Sequence, residues 1–216
     1  MNQKNYLIIG ASGGIGKAMV KQLIEMSANN KSSGKIFATY HANQPNFTAD
    51  NLYWLPMDVS DEKSIEQATA DIKQQTTHIG WVINCVGLLH TPHNQPEKAL
   101  RQLETDFFLQ SMQINALASL LIAKHIKPLL AKAERNADKP MKNLSIEWSR
   151  SLKDVCVVVM QPGTVDTQLS SPFQGNVADE KLFSPAYSAQ RLLEVLDSMT
   201  AAQSGSFVDW AGESIA

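Results

Sequence analysis

Cysteine is scarce in this sequence: Cys85 and Cys156 are the two among 216 residues. A disulfide-stapled scaffold is thereby excluded. Both thiols stand in apolar runs (81–86 and 155–159), where reduced core residues are expected. No run approaches the ~20 apolar residues that a membrane span needs. Neither charge sign dominates: 19 Lys plus Arg against 21 Asp plus Glu give a formal net charge of −2. That balance speaks against the basic footprint that nucleic acid requires. Residues 1–10 run straight into a strand pattern with no apolar export segment, so the expected setting is cytoplasmic and reducing. With 44% hydrophobic and 19% charged residues, the chain has the composition of a folded domain and not of a disordered one.

What is present is alternation. Short apolar runs at 6–9, 35–40, 52–57, 81–86 and 155–160 read as strands, with a last short one at 205–208. Longer amphipathic stretches at 15–26, 60–75 and 185–199 read as helices, the second with Ser60 and Asp61 as candidate caps. Residues 96–135 read as a long helical stretch broken near Asp106, and 141–152 as another helix. Strands alternating with helices predict one α/β domain over 1–216, with a doubly wound parallel sheet in three α/β/α layers. The segment 161–184, rich in Pro, Gly, Ser and Thr, reads as a long loop, with a functional lid at about 163–184.

Gly10-Ala-Ser12-Gly-Gly14-Ile15-Gly16 joins the first strand to the first helix. Glycines permit a tight turn and close approach of backbone to a pyrophosphate, and a helix N-terminus offers unpaired N–H groups and a positive dipole end. Ser12 either bonds a phosphate or caps the helix. Placed between strand and helix at the head of an alternating chain, the turn points to a dinucleotide.

The spacing Gly-x-x-x-Gly-x-Gly resembles that of the short-chain dehydrogenase/reductase family, and the resemblance continues along the chain. Asp58-Val59 is similar to the family's adenine contact. Asn84-Cys85-Val86-Gly87 resembles its Asn-Ala-Gly signature, with Cys85 and Val86 as departures. Asn115 stands where the family has a helix asparagine that holds a proton-relay water. Pro162-Gly163-Thr-Val165-Asp166-Thr167 resembles the motif that lines the nicotinamide, with Thr167 as the carboxamide contact. The segments 144–148, 162–167 and 205–215 most resemble the C-factor-like and sniffer-like carbonyl reductases. The resemblance implies a Rossmann-like fold and hydride transfer between a nicotinamide and a carbonyl or alcohol.

Cofactor choice follows from charge. An acid at the end of the second strand would bond the ribose 2′-OH of NAD and repel the 2′-phosphate of NADP. Here Phe37-Ala-Thr-Tyr40-His41-Ala-Asn43 carries no acid and several polar donors, so NADP is expected, with NAD possible.

One motif of the family is absent. Its chemistry uses a tyrosine with a lysine four residues later, because an unassisted tyrosine near pKa ~10 is a poor base at neutral pH. Tyr6, Tyr40, Tyr53 and Tyr187 all lack lysine at that position, and Tyr187-Ser-Ala-Gln-Arg191 stands after the Pro-Gly motif instead of before it. The family would place a strand, a serine and this motif between Arg135 and Asn143. The same junction lacks the strand that two successive crossover helices require. Three explanations stay open: the sequence omits a segment at 140/141, the deletion is genuine, or the chain was edited. The first is favoured, so Pro140 and Met141 are expected not to be neighbours. A genuine deletion would leave a non-catalytic NADP-binding signalling or scaffold protein as the alternative function.

His90 and His93 read as loop histidines; with no further ligands nearby, no metal site is expected. Asp166 reads as a loop charge, and Phe173 as a lid residue that touches substrate or anchors the loop. The stretch 114–130 is apolar on more than one face (Leu117, Leu120, Ile122, Ile126, Leu129), which asks for a partner beyond the sheet. The resemblance implies a homodimer or homotetramer through this helix and the next, with Trp148 as an anchor. The expected substrate is a small carbonyl or alcohol, with neither nucleic acid nor membrane as partner.

Overall fold

A computed structural model describes residues 4–29, 34–130 and 155–215. Strands β1 (Tyr6–Ile9), β2 (Ile36–Tyr40), β3 (Leu52–Pro56) and β4 (Trp81–Asn84) form a parallel sheet in the order β3-β2-β1-β4. Its register pairs Leu7 with Phe37 and with Val82. Alternation along the strands sorts their side chains to two faces. Leu7, Ile9, Phe37 and Val82 pack with Ile65 and Ile72 of α2 (Glu62–Gln75) and Ile122 and Ile126 of α4 (Ala118–Leu130). Tyr6, Ile8, Ile36 and Trp81 pack with Met19 and Leu23 of α1 (Gly14–Ala28) and Leu192 and Leu196 of α5 (Pro185–Ser198). The result is the three-layer, Rossmann-like α/β/α fold that the alternation predicts. Each fully buried aliphatic side chain contributes about 1.5–3 kcal/mol relative to exposure.

Helix starts follow local chemistry. Asp61 caps α2 by accepting from Lys63 N at 3.0 Å, while Ser60 turns instead to Asp58. Ser184 caps α5 by accepting from Tyr187 N at 3.1 Å, with Pro185 as the first helical residue. α1 begins at Gly13 without any side-chain cap.

Three elements differ from expectation. Residues 96–104 hold only a 3₁₀ turn at Leu100–Gln102, and α3 (Thr105–Met112) starts next to Asp106. A helix there would bury little, since Leu100 is 92% exposed. A π-helical turn, Gln113–Leu117, then joins α3 to α4. In the run 155–160 the ladder covers only β5 (Val159–Gln161), paired in parallel with β8 (Phe207–Asp209). Val155 and Val157 point into one core layer and Cys156 and Val158 into the other, as strand residues would. Among the described residues, however, no ladder joins this segment to β4; Val157 is held by Ser204 Oγ and Gly205 N. The segment 161–184 is pinned by a parallel pair, β6 (Thr164–Val165) with β7 (Leu182–Phe183), and by 3₁₀ turns at Ser171–Asn176 and Asp179–Lys181.

The expected helix at 141–152, Trp148 and the 140/141 junction lie outside the described residues. Among the described residues no helix is long and apolar enough to cross a membrane.

Candidate functional site

The C-terminal ends of β1, β2 and β4 converge on the glycine turn. Gly10 has φ +76°, a conformation side chains resist, and a Cβ there would sit 2.7 Å from Val86 Cγ2. At Gly16 a Cβ would meet Gly10 O at 2.5 Å, so only glycine lets α1 start this close to β1. Thr39, buried at the end of β2, holds the turn: its Oγ1 accepts from Gly10 N at 3.1 Å and its carbonyl from Ala11 N at 2.8 Å. Gly13 N closes the turn on Gly10 O at 3.1 Å. Ser12 and Gly14 are exposed above it, and the uncapped first turn of α1, with no acidic residue, faces outward. Ile15 is partly buried against the core and adds only backbone to this surface.

Beside the turn lies an open polar cavity of about 530 Å³, lined by Ser12, Lys17, His41, Asn43, Gln44 and Asn46 among others. No carboxylate is among its lining residues. Asp58, just after β3, is held in place. Its Oδ1 accepts from Ser60 Oγ at 2.7 Å and Ser60 N at 2.8 Å, and its own N–H donates to Ser64 Oγ. Oδ2 stands 3.5 Å from His41 Nε2. The Ser60 hydroxyl first, then the Ser60 N–H and His41, hold the Asp58 carboxyl below its usual value against the opposing effect of burial. Val59 is buried in the core, and Tyr40 stands half-buried with its ring edge-on to Trp54.

On the other side of the turn, Asn84 spends its side chain locally. Nδ2 donates to Ser119 Oγ of α4 at 3.0 Å and Oδ1 accepts from Val86 N at 3.0 Å, which shapes the bend from Asn84 to Gly87. Asn115 sits in the π-helical turn, a device often found at functional sites. Its Oδ1 accepts from Leu88 N and its Nδ2 donates to Leu88 O, both at 2.7 Å. Gly87 lies between Asn115 and the lid: a Cβ there would be 3.7 Å from Asn115 Oδ1 and 3.8 Å from Leu169 Cδ2.

The segment 161–184, the expected lid, closes the arrangement. The Thr167 methyl lies directly over Gly14, and Thr167 Oγ1 is 3.3 Å from Ser170 Oγ, which itself donates to Val165 O. Gly163, at φ +78°, lies under the Phe183 ring, and Pro162 O accepts from Ser188 Oγ at 3.0 Å. Val165 is buried. His90 Nε2 lies 3.4 Å from Gln168 O and its ring 5.8 Å from that of Phe173, so Phe173 anchors the lid to the loop after β4. His93 is exposed, and among the described residues no group of acidic, histidine and cysteine side chains is placed to hold a metal.

The turn residues Gly10 to Gly16, Thr167 and the bend 84–87 thus form one continuous surface. Asn115 is joined to it through Leu88 and Gly87, and His41 and Asp58 flank it on the β2–β3 side. Sequence reasoning missed Thr39, Lys17 and Ser119. Thr39 and Ser119 act across 29 and 35 residues of chain and leave no local signature. Lys17 left one: a cation immediately after the last glycine of the turn.

Comparison with known proteins agrees with this geometry. The short chain dehydrogenase family model matches residues 4–137. The chain is 24% identical over 188 residues to the short chain dehydrogenase/reductase dpchH of Colletotrichum higginsianum, covering 79% of this chain and 45% of that protein. It spans less than half the length of the curated relatives it matches. Among solved structures it resembles the NADPH-bound carbonyl reductase from chicken fatty liver (TM-score 0.82, 20% identity, 100% of both chains covered). It likewise resembles the carbonyl reductase Sniffer of D. melanogaster (TM-score 0.83, 18% identity, 100% of both chains covered).

Proposed function

The chain belongs to the short-chain dehydrogenase family, and from that premise we propose that it binds NADP(H) and transfers a hydride between the nicotinamide and a small carbonyl or alcohol. The observation that carries this reading is the glycine turn. A backbone cradle that no Cβ could share, clamped by Thr39, lies at the uncapped N-terminus of α1. That donor set fits a dinucleotide pyrophosphate. The nicotinamide, when bound, supplies the hydride chemistry.

The roles of this chain's own residues follow from their placement. Gly10, Gly14 and Gly16 let the turn fold tightly against Val86, Thr167 and its own backbone, so that its N–H groups face the pyrophosphate, and Ser12 offers a hydroxyl to it. Asp58 presents its Oδ2 to an adenine amine, with Val59 contributing backbone. Lys17, His41 and Asn43 offer donors to a 2′-phosphate, and the absence of an acid among the cavity's lining residues favours NADP over NAD. Val86, Gly87, Pro162, Gly163, Val165 and Thr167 frame the nicotinamide side. Asn84 and Asn115, whose amides are engaged by neighbours, are positioning residues that fix the bend and the Leu88 loop.

A second reading is favoured by one specific observation: none of the four tyrosines has a lysine four residues later. Tyr6 is buried against Trp81, Tyr40 and Tyr53 lie on β2 and β3, and the Tyr187 ring packs at a tilt against Phe183 and Trp210. With no Tyr-x-x-x-Lys in 216 residues, the chain would then be an NADP-binding signalling or scaffold protein. Calorimetric titration with NADP⁺ and NAD⁺, followed by NADPH turnover on a broad carbonyl panel, separates the readings. Binding with turnover supports the oxidoreductase, and binding without turnover supports the second reading. No binding of either nucleotide defeats both.

We further propose a homodimer or homotetramer in the cytoplasm. Phe108, Met112, Leu117 and Leu120 form an exposed apolar stripe along α3, the π-helical turn and α4. Such a stripe is most readily covered by a second copy.

A further inference from the structure

We propose that His41 makes the preference for a 2′-phosphorylated dinucleotide depend on pH, so that the preference is strong when its imidazole is protonated and weak when it is neutral. This rests on the reading that the cavity beside the glycine turn receives the 2′-phosphate.

The charges around the cavity are few and well placed. Lys17 of α1 contributes a fixed cation to its lining. The loop 41–49 that carries His41 contains no other charged residue. Across from it stands the Asp58 carboxylate, with Oδ2 at 3.5 Å from His41 Nε2. Lys21, one turn further along α1, lies over the Phe47 ring of the same loop at 5.7 Å. His41 is the one histidine among the residues lining this cavity, and imidazole is the side chain that ordinarily carries charge at mildly acidic pH and loses it at mildly alkaline pH.

Geometry gives the imidazole two partners. Its side chain is 74% exposed, so the contact with Asp58 is weak and leaves the ring free to turn toward the cavity. A phosphate dianion there would be met by Lys17, and by His41 only when the ring carries its proton. Binding of NADP⁺ near neutral pH is then accompanied by proton uptake at His41, and binding of NAD⁺ is not.

The test measures dissociation constants for NADP⁺ and NAD⁺ at pH 6.5 and 8.5 in the wild type, His41→Asn and His41→Arg. The phosphate of the free ligand also titrates, near pH ~6, and that contribution is common to all three proteins. In the wild type the ratio of NAD⁺ to NADP⁺ dissociation constants should fall at least threefold more over this interval than in either variant. His41→Arg should prefer NADP⁺ at both pH values, and His41→Asn should show weak preference at both. Calorimetry in buffers of different ionisation enthalpy should detect proton uptake with NADP⁺ in the wild type, and less with His41→Asn. Equal pH dependence in the wild type and His41→Asn, with NADP⁺ still preferred, would overturn the role of His41 and leave the 2′-phosphate reading standing. A wild type that prefers NAD⁺, or neither nucleotide, at both pH values would overturn the phosphate reading itself.

Discussion

Asn115 and Leu88 clasp each other through two hydrogen bonds of 2.7 Å, amide to carbonyl and N–H to amide oxygen. Nδ2 also donates to Ser111 Oγ at 3.0 Å. The asparagine amide thus does for the loop after β4 what a paired backbone would do. It fixes the strip that runs from Gly87 toward His90 and the lid. Asn115→Leu removes these bonds at a comparable side-chain size. We expect a loss of about 1–2 kcal/mol in urea unfolding, together with faster amide exchange at Leu88.

Gly10→Ala tests the cradle. The substitution forces a side chain into a left-handed backbone and against Val86 Cγ2. The backbone component alone costs of order 1–3 kcal/mol. The double variant Gly10→Ala/Val86→Ala relieves the steric contact and leaves the backbone strain. It should recover part of the loss measured for Gly10→Ala alone, and full recovery would show that φ is not the constraint.

Acid sensitivity should localise at two carboxylates. Asp58 is held below its ordinary value of 3.8, chiefly by the Ser60 hydroxyl, and Glu62 below 4.5, chiefly by Lys124 Nζ at 2.6 Å and then by His125. A carboxyl depressed in the folded state contributes stability that is present above its unfolded pKa. That stability is lost as pH falls through the folded one. Stability should therefore decline below pH ~4 as these groups protonate. Ser60→Ala should move the Asp58 carboxyl carbon titration upward in NMR and flatten the acid limb of the stability curve. An unmoved titration would remove Ser60 as the cause.

Cys85 should be chemically quiet. Its residue keeps some exposed surface, but the thiol is enclosed against Met19 Sδ at 3.9 Å, and burial pushes its pKa up to about 12. Cys156 is fully buried. At pH 8 neither thiol should react with a disulfide reagent on the timescale of a free cysteine, and both should react once the protein is unfolded.

The exposed stripe on α3 and α4 gives a prediction for assembly. Met112→Glu/Leu120→Glu places two charges on residues each 48% exposed, so the fold should be retained. Sedimentation should then report a smaller species than the wild type. If the wild type is already a monomer, the stripe is not a contact between copies.

Much of this architecture was legible in the residues. The switch between short apolar runs and amphipathic stretches gave the strands β1 to β4 and the helices α1, α2 and α5, because central strands buried on both faces read as continuous apolar runs while each helix buries one face. The glycine turn was legible because its backbone geometry admits few other residues. The run 155–160 was legible in part: its end joins β5 and its earlier residues bury as a strand's would, but the extent of the ladder depends on which backbone lies alongside, and apolar spacing carries no information about that. The segment 96–104 misled for a related reason: its apolar residues imitate a helix that has nothing to pack on. The clamp by Thr39 and the π-helical turn at Asn115 depend on contacts between distant parts of the chain, so no local pattern announces them.

Thr39 and His41 are two residues apart, and the division of labour between them has a consequence for change. The first locks the glycine turn from inside the core; the second stands at the rim of the polar cavity, facing open water. Under the proposed function, exchanges at the rim would retune which nucleotide is chosen without disturbing the turn beneath it. A lineage, or an engineer, would then revise selectivity one surface residue at a time while the foundation stays intact.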